Sequence, residues 1–142
     1  MGADLYEKSS IAKDIFDEVD DTLGRKLTDI VFSGSQEILN KTENAQPAIT
    51  ATSLACFSVF KDKYKDFTPS VTAGHSLGEY TSLSASNALS VSDTIRLVSE
   101  RGRLMQIACD KNPGGMVAII GMEIDVVEEV CREAGAYPSN IN

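Results

Sequence analysis

The sequence predicts an α/β fold in which a short strand turns sharply into a helix. Three observations point there. Ser70-Val71-Thr72-Ala73 carries β-favouring Val and Thr, whereas Leu77 to Leu89 is rich in helix-compatible residues. Met116-Val117-Ala118-Ile119-Ile120, bounded by Gly114-Gly115 and Gly121, reads as a second strand. The other long stretches carry apolar residues at helical spacing. A parallel-sheet core needs more than two strands, and the chain runs out at Pro138-Ser139-Asn140-Ile141-Asn142, where another would begin. The core is therefore expected to be incomplete, cut at both ends.

The elements follow in order. An amphipathic helix is expected from Asp4 to Leu23, with Leu5, Ile11, Ile15, Phe16 and Val19 on one stripe and Gly24 as terminator. Asp29-Ile30-Val31-Phe32 is too short to assign between strand and helix. Gln36 to Leu39 reads as a helical turn. Pro47 suits the first turn of a helix reaching Lys63, whose apolar residues wrap most of the way round and predict burial on more than one side. Lys61 to Asp66 is a solvated link leading through Pro69 to the first strand. A helix from Val91 to Lys111, capped by Ser92 or Asp93, places Leu97, Val98, Leu104, Met105 and Ala108 on an inward stripe. The last helix runs from Glu123 to Ala134 and stops at Gly135.

Between the first strand and its helix lies Gly74-His75-Ser76-Leu77-Gly78-Glu79-Tyr80, a G-x-S-x-G elbow. Such a turn strains the serine backbone and pushes its hydroxyl outward, and the flanking glycines, here Gly74 and Gly78, give strand and helix room to approach. The helix that follows aims free N–H groups and the positive end of its dipole at the same point, which favours a developing oxyanion. Ser76 is the candidate nucleophile and the Leu77 N–H the first oxyanion donor. A serine needs a base, usually a histidine. The only histidine is His75, which adjoins Ser76 in a tight turn, projects to another side, and is read as a neutral neighbour of the site.

Arg101 falls on the predicted inward stripe of the Val91 to Lys111 helix. A guanidinium there needs an anionic partner, because an unpaired buried charge costs several kcal/mol. That partner is either an internal acid such as Glu79 or a substrate carboxylate held by two parallel hydrogen bonds. Arg96 and Arg103 lie off the stripe and are expected in solvent.

The 142 residues carry a formal net charge of −8, which disfavours nonspecific attachment to nucleic acid or an anionic membrane. No apolar run approaches the roughly 20 residues that cross a bilayer, and the N-terminus lacks a signal pattern. Tyr6 stands where a myristoylation signal wants Ser or Thr. Cys56, Cys109 and Cys131 sit in apolar stretches without CxxC spacing and read as reduced, buried thiols of a cytoplasmic protein, with no metal site. The Asn40-Lys41-Thr42 sequon carries no meaning in that setting.

Taken together, the chain resembles the malonyl-CoA:acyl carrier protein transacylase family, which also supplies the acyltransferase domains of polyketide and fatty acid synthases. The matching stretches are Leu39-Asn40-Lys41-Thr42 with Gln46-Pro47-Ala48, the Gly74 to Tyr80 elbow, Glu100-Arg101-Gly102-Arg103-Leu104-Met105-Gln106, and Gly115 to Gly121. They occur in the family's order along nearly the whole chain. The resemblance implies a hydrolase-like α/β core, here partial over residues 1–114, with residues 115–142 forming the first strand and helix of a ferredoxin-like subdomain. It also implies ping-pong transfer of a malonyl group from CoA, through an ester on Ser76, to the phosphopantetheine thiol of an acyl carrier protein, with no bound cofactor. Arg101 would bind the malonyl carboxylate; Gln46 and His75 match positions near the site. The family's Gly-Gln-Gly-x-Gln loop and its later base histidine are not in this sequence, so the 142 residues are expected to be inactive alone. Two other readings stay open: a serine hydrolase of the patatin-like or α/β-hydrolase kind, and a degenerate carrier-binding module.

Overall fold

The computed structural model describes residues 1–141, which form two compact units, one over Met1–Asn112 and one that begins at Pro113. The first unit is helical. Its elements are α1 (Ala3–Lys8), α2 (Ser10–Leu23), α3 (Leu27–Ser33), α4 (Gln36–Asn40), α5 (Thr42–Lys63), α6 (Gly78–Ala85) and α7 (Val91–Lys111); the second unit holds α8 (Ile124–Ala134).

The single helix expected from Asp4 to Leu23 is broken at Ser9. This residue is extended (φ −134°, ψ 118°) and its hydroxyl accepts from the Ala12 N–H, capping α2. A mid-sequence serine offers the backbone that alternative whenever a fresh helix start packs better than a continuous rod. Gly24 then ends α2 at φ 62°. The ambiguous Asp29 segment is helical. Asp20, buried at the end of α2, accepts from the Thr28 N–H (3.1 Å) and hydroxyl (2.6 Å), satisfying the first turn of α3, and pairs with Lys26 at 3.4 Å. Leu27 and Val31 enter the core with Ala12, Phe16 and Val19, and Tyr6, Phe16 and Phe32 pack with ring centroids 5.1 to 5.9 Å apart.

Helix α5 is the axle of this unit, packed against α2, α3, α4, α6 and α7. Ala48, Ala51 and Ala55 on its surface are fully buried, which lets neighbouring backbones come close. It starts at Thr42, five residues before Pro47, because the Gln106 side chain of α7 accepts from the Thr42 N–H at 3.1 Å and holds the first turn. Pro47 lacks the N–H that would reach Glu43, and that carbonyl instead faces the Arg25 guanidinium.

Three expectations need correction. First, no described residue is in a β-strand: 71–73 and 116–120 are irregular backbone, with Val71 82%, Val117 88% and Ile120 93% exposed. Strand hydrogen bonds all run to a neighbour about 4.8 Å away, and no described segment supplies one. Second, Leu97, Leu104, Met105 and Ala108 of α7 face outward; the buried residues are Thr94, Ile95, Val98 and Gly102. Apolar content favours the first stripe, but close packing on α5 selects the face with Gly102. Third, Cys56 and Cys109 are exposed and Cys131 half-buried; all three are free thiols, not buried ones.

The cap of α7 also differs. It is Ser90, whose hydroxyl accepts from the Asp93 N–H (3.0 Å) and donates to the Asp93 carboxylate (2.8 Å); Asp93 pairs with Arg96 as well. In the second unit, α8 ends at Gly135, φ 66°, as expected. No helix among the described residues is long and apolar enough to cross a membrane.

The Ser90 hydroxyl, and then Arg96, hold the Asp93 carboxyl below its ordinary value of 3.8. A depressed folded value means the stabilisation is present above that pH and is lost as pH falls through the folded value. Ser90→Ala should cost about 1 kcal/mol in urea unfolding at neutral pH, and Asp93→Asn should flatten the loss of stability below pH 3.8.

Candidate active site

The elbow lies where the irregular segment after Pro69 enters α6. Ser76 has φ 52°, a left-handed conformation that serine adopts only under constraint. The constraint begins at Gly74: a Cβ there would lie 2.0 Å from the carbonyl carbon and oxygen of Gly78. No side chain fits, so the turn can close only with glycine. Gly78 differs from expectation, since a Cβ at that position meets nothing within 4 Å. Its role in the closure is as the backbone that Gly74 presses against.

Gly78, Glu79 and Tyr80 donate to the carbonyls of His75, Ser76 and Leu77, which winds the first turn of α6. The Leu77 N–H stands outside that ladder, at the Ser76 end of the helix. The Leu77 and Tyr80 side chains pack against the hydrophobic core and anchor the elbow to the unit. His75 and Ser76 are exposed. An open groove of about 630 Å³ runs past the serine between Ile49, Phe57, Val71 and Thr81.

Arg101 reaches this point from α7. Its Nη2 donates to Ser76 Oγ at 2.9 Å, Nη1 donates to Gln46 Oε1, and the guanidinium carbon lies 6.0 Å from the Tyr80 ring centre. The ion pairs among the described residues are Lys26–Asp20, Arg96–Asp93 and Arg103–Glu100. None involves Arg101. Glu79, the internal acid considered for it, makes no ion pair with it, and neighbouring Glu100 is occupied in two 2.7 Å hydrogen bonds by Arg103. As expected, Arg96 and Arg103 lie in solvent, each beside its own carboxylate. Among the described residues the guanidinium beside the serine is therefore held by neutral groups, with no carboxylate paired to it.

Ser76, Leu77, His75, Gln46 and Arg101 were the residues the sequence singled out. The structure brings Ser76, Arg101 and Gln46 into one hydrogen-bonded chain, with Leu77 and His75 flanking the serine. Sequence reasoning missed the groups behind them. Gln46 is 6% exposed, and its Nε2 donates to Thr42 Oγ1 at 2.6 Å and to Met105 Sδ at 3.2 Å. Gly102 is buried where a Cβ would lie 2.7 Å from the Thr42 carbonyl oxygen and 3.0 Å from the Glu43 Cα. Thr42, Met105 and Gln106 stand inside the motif stretches, yet only the packing of α7 on α5 shows what they touch. Among the described residues no group of three or more His, Cys, Asp or Glu could hold a metal ion.

A strained serine beside an uncommitted cation suits attack on an acyl carbon whose far end is anionic. The chain belongs to the acyl transferase domain family, which it matches over residues 1–137.

Among its relatives, the malonyl CoA-acyl carrier protein transacylase of Bacillus subtilis (strain 168) is 45% identical over 130 residues, covering 92% of this chain and 40% of that protein. The enzyme of the same name from Haemophilus influenzae is 42% identical over 144 aligned positions, covering 100% of this chain and 46% of the relative. A solved acyl carrier protein S-malonyltransferase from Vibrio cholerae superposes with a TM-score of 0.80 at 39% identity, over 94% of this chain and 44% of that one. A type II polyketide acyl carrier protein in complex with its malonyl-transacylase matches with a TM-score of 0.80 at 40% identity, over 94% and 43% of the two chains. The chain thus spans less than half the length of these relatives.

Gly102→Ala tests the geometry. Alanine gains about 1 kcal/mol of helix propensity over glycine, while overpacking costs about 1–3 kcal/mol, so the balance should be a net loss of up to about 2 kcal/mol in denaturant unfolding. The same change should push α7 off α5 and separate Arg101 from Ser76, seen as a shift of the Arg101 side-chain resonances.

Proposed function

We propose that this chain is the nucleophile-bearing part of a malonyl-CoA:acyl carrier protein transacylase acting in fatty acid or polyketide synthesis in the cytoplasm. Its relatives carry that name, and one of them is solved with an acyl carrier protein. The observation that carries the reading is Arg101, 2.9 Å from Ser76 and in no ion pair among the described residues.

In this mechanism Ser76 Oγ attacks the malonyl thioester carbon as its proton passes to a base. The carbonyl oxygen becomes an oxyanion facing the Leu77 N–H, the C–S bond breaks, and the CoA thiol leaves protonated. The phosphopantetheine thiol of the carrier then attacks the Ser76 ester, releasing the serine hydroxyl and regaining a thioester. Arg101 holds the malonyl carboxylate throughout, exchanging its bond to Ser76 for bonds to the substrate, and Gln46 and His75 border the acyl group. An acetyl group would leave the guanidinium unpaired, so the site prefers a diacid.

The base and a second oxyanion donor come from residues outside this sequence. In the whole protein, residues 71–73 and 116–120 would be strands, the first in a hydrolase-like sheet over 1–114 and the second opening a ferredoxin-like subdomain over 115–142. Their exposed apolar side chains support that reading.

A charge-assisted hydrogen bond contributes about 1.5–3 kcal/mol, or roughly 10- to 150-fold. In the intact transacylase carrying this sequence, Arg101→Ala should lower malonyl transfer by that factor while leaving acetyl transfer within a few-fold; equal losses would refute the carboxylate clamp. The 142-residue chain mixed with malonyl-CoA should show only slow, substoichiometric mass gain on Ser76. Rapid stoichiometric labelling would mean that the base lies within these residues.

A further inference from the structure

We infer that Thr42 is a positioning residue that sets the specificity-determining guanidinium, by anchoring the Gln46 carboxamide that accepts from Arg101. The inference deepens the carboxylate-clamp reading and rests on it. A glutamine amide presents an acceptor at one end and a donor at the other, and turning it over exchanges them. Arg101 offers only donors, so it requires Oε1; Met105 sulfur offers only an acceptor, so it requires Nε2. The observed orientation satisfies both, with Oε1 on Arg101 Nη1 and Nε2 3.2 Å from Met105 Sδ.

A thioether is a weak acceptor and cannot hold the amide unaided. The strong contact is Nε2 to Thr42 Oγ1, at 2.6 Å, one helical turn earlier on the same face of α5. Thr42 itself is fixed twice by α7: its N–H donates to Gln106 Oε1, and its carbonyl sits against Gly102, where a Cβ would be 2.7 Å away. Thr42 therefore reads the seating of α7 on α5 and passes it to Gln46. Gln46 is 6% exposed, so water offers little replacement if the hydroxyl is removed. A released amide leaves Nη1 without its acceptor, and the guanidinium is then free to swing from the groove.

The test compares Thr42→Val, which keeps the shape and removes the hydroxyl, with Thr42→Ser, which keeps the hydroxyl. In the ligand-free 142-residue chain, the Gln46 side-chain amide resonances should move in Thr42→Val and stay near the wild-type position in Thr42→Ser, with folding of each variant checked by its amide spectrum. In the intact transacylase, Thr42→Val should raise KM for malonyl-CoA about tenfold with kcat changed less than threefold, and Thr42→Ser should restore KM. Unmoved Gln46 resonances in Thr42→Val, or a Thr42→Ser variant as impaired as Thr42→Val, would overturn the inference. If Arg101→Ala leaves malonyl preference intact, the clamp reading falls instead; the Gln46 resonances still decide whether Thr42 anchors the amide.

Discussion

The close approach of α7 to the start of α5 is the constraint on which the rest depends. Arg101 and Gly102 are adjacent on α7, and they do opposite things. Gly102, lacking a side chain, lets the helix settle against the Thr42–Glu43 backbone, and that descent brings the long Arg101 side chain level with Gln46 and Ser76. The elbow supplies the other half of the meeting. Gly74 lies so close to the Gly78 backbone that the turn has one way to close, and Leu77 and Tyr80 pin it to the same core that α5 and α7 share. The serine and the arginine come from segments 25 residues apart, and no local interaction could have aligned them.

Charge arrangement follows from the same contact. The chain carries 21 acidic residues against 13 basic ones, yet among the described residues Arg101 forms no ion pair. Arg103 takes Glu100 and Arg96 takes Asp93, each three residues away on α7, leaving Arg101 facing a carboxamide, a hydroxyl and an aromatic ring. Neutral partners orient a guanidinium without cancelling it. An acid in the place of Gln46 would hold the side chain more firmly and close it to any anionic ligand.

How much of this was legible depended on range. Local signals read well: Gly24 and Gly135 end their helices, α7 has the expected limits, and the elbow serine has the positive φ that G-x-S-x-G spacing implies. Ser76 is legible from the elbow and Gln46 from a motif stretch, whereas Arg101 is placed by a stripe of which α7 buries only Val98. Face assignment on α7 failed because hydropathy ranks side chains by oiliness, whereas the α5 contact is selected by the absence of one. The cysteines failed for a related reason: apolar neighbours in sequence do not bury a thiol when the helix turns that side outward. Residues 71–73 and 116–120 have strand-forming side chains but no pairing partner among the described residues, since β-pairing is never a property of one segment. Thr42 and Gln106 escaped notice because their importance lies in reaching 64 residues across the chain.

The positive φ at Ser76 also bears on which nucleophiles this turn can accept over evolutionary time. Left-handed backbone is far more costly for a side chain branched at Cβ, because the second substituent collides with the preceding peptide. Threonine, one methyl larger and chemically able, is shut out by conformation alone, while cysteine has serine's unbranched shape and would fit. The bend thus acts as a filter on the genetic neighbourhood of the site, admitting a change of element from oxygen to sulfur more readily than the addition of a carbon.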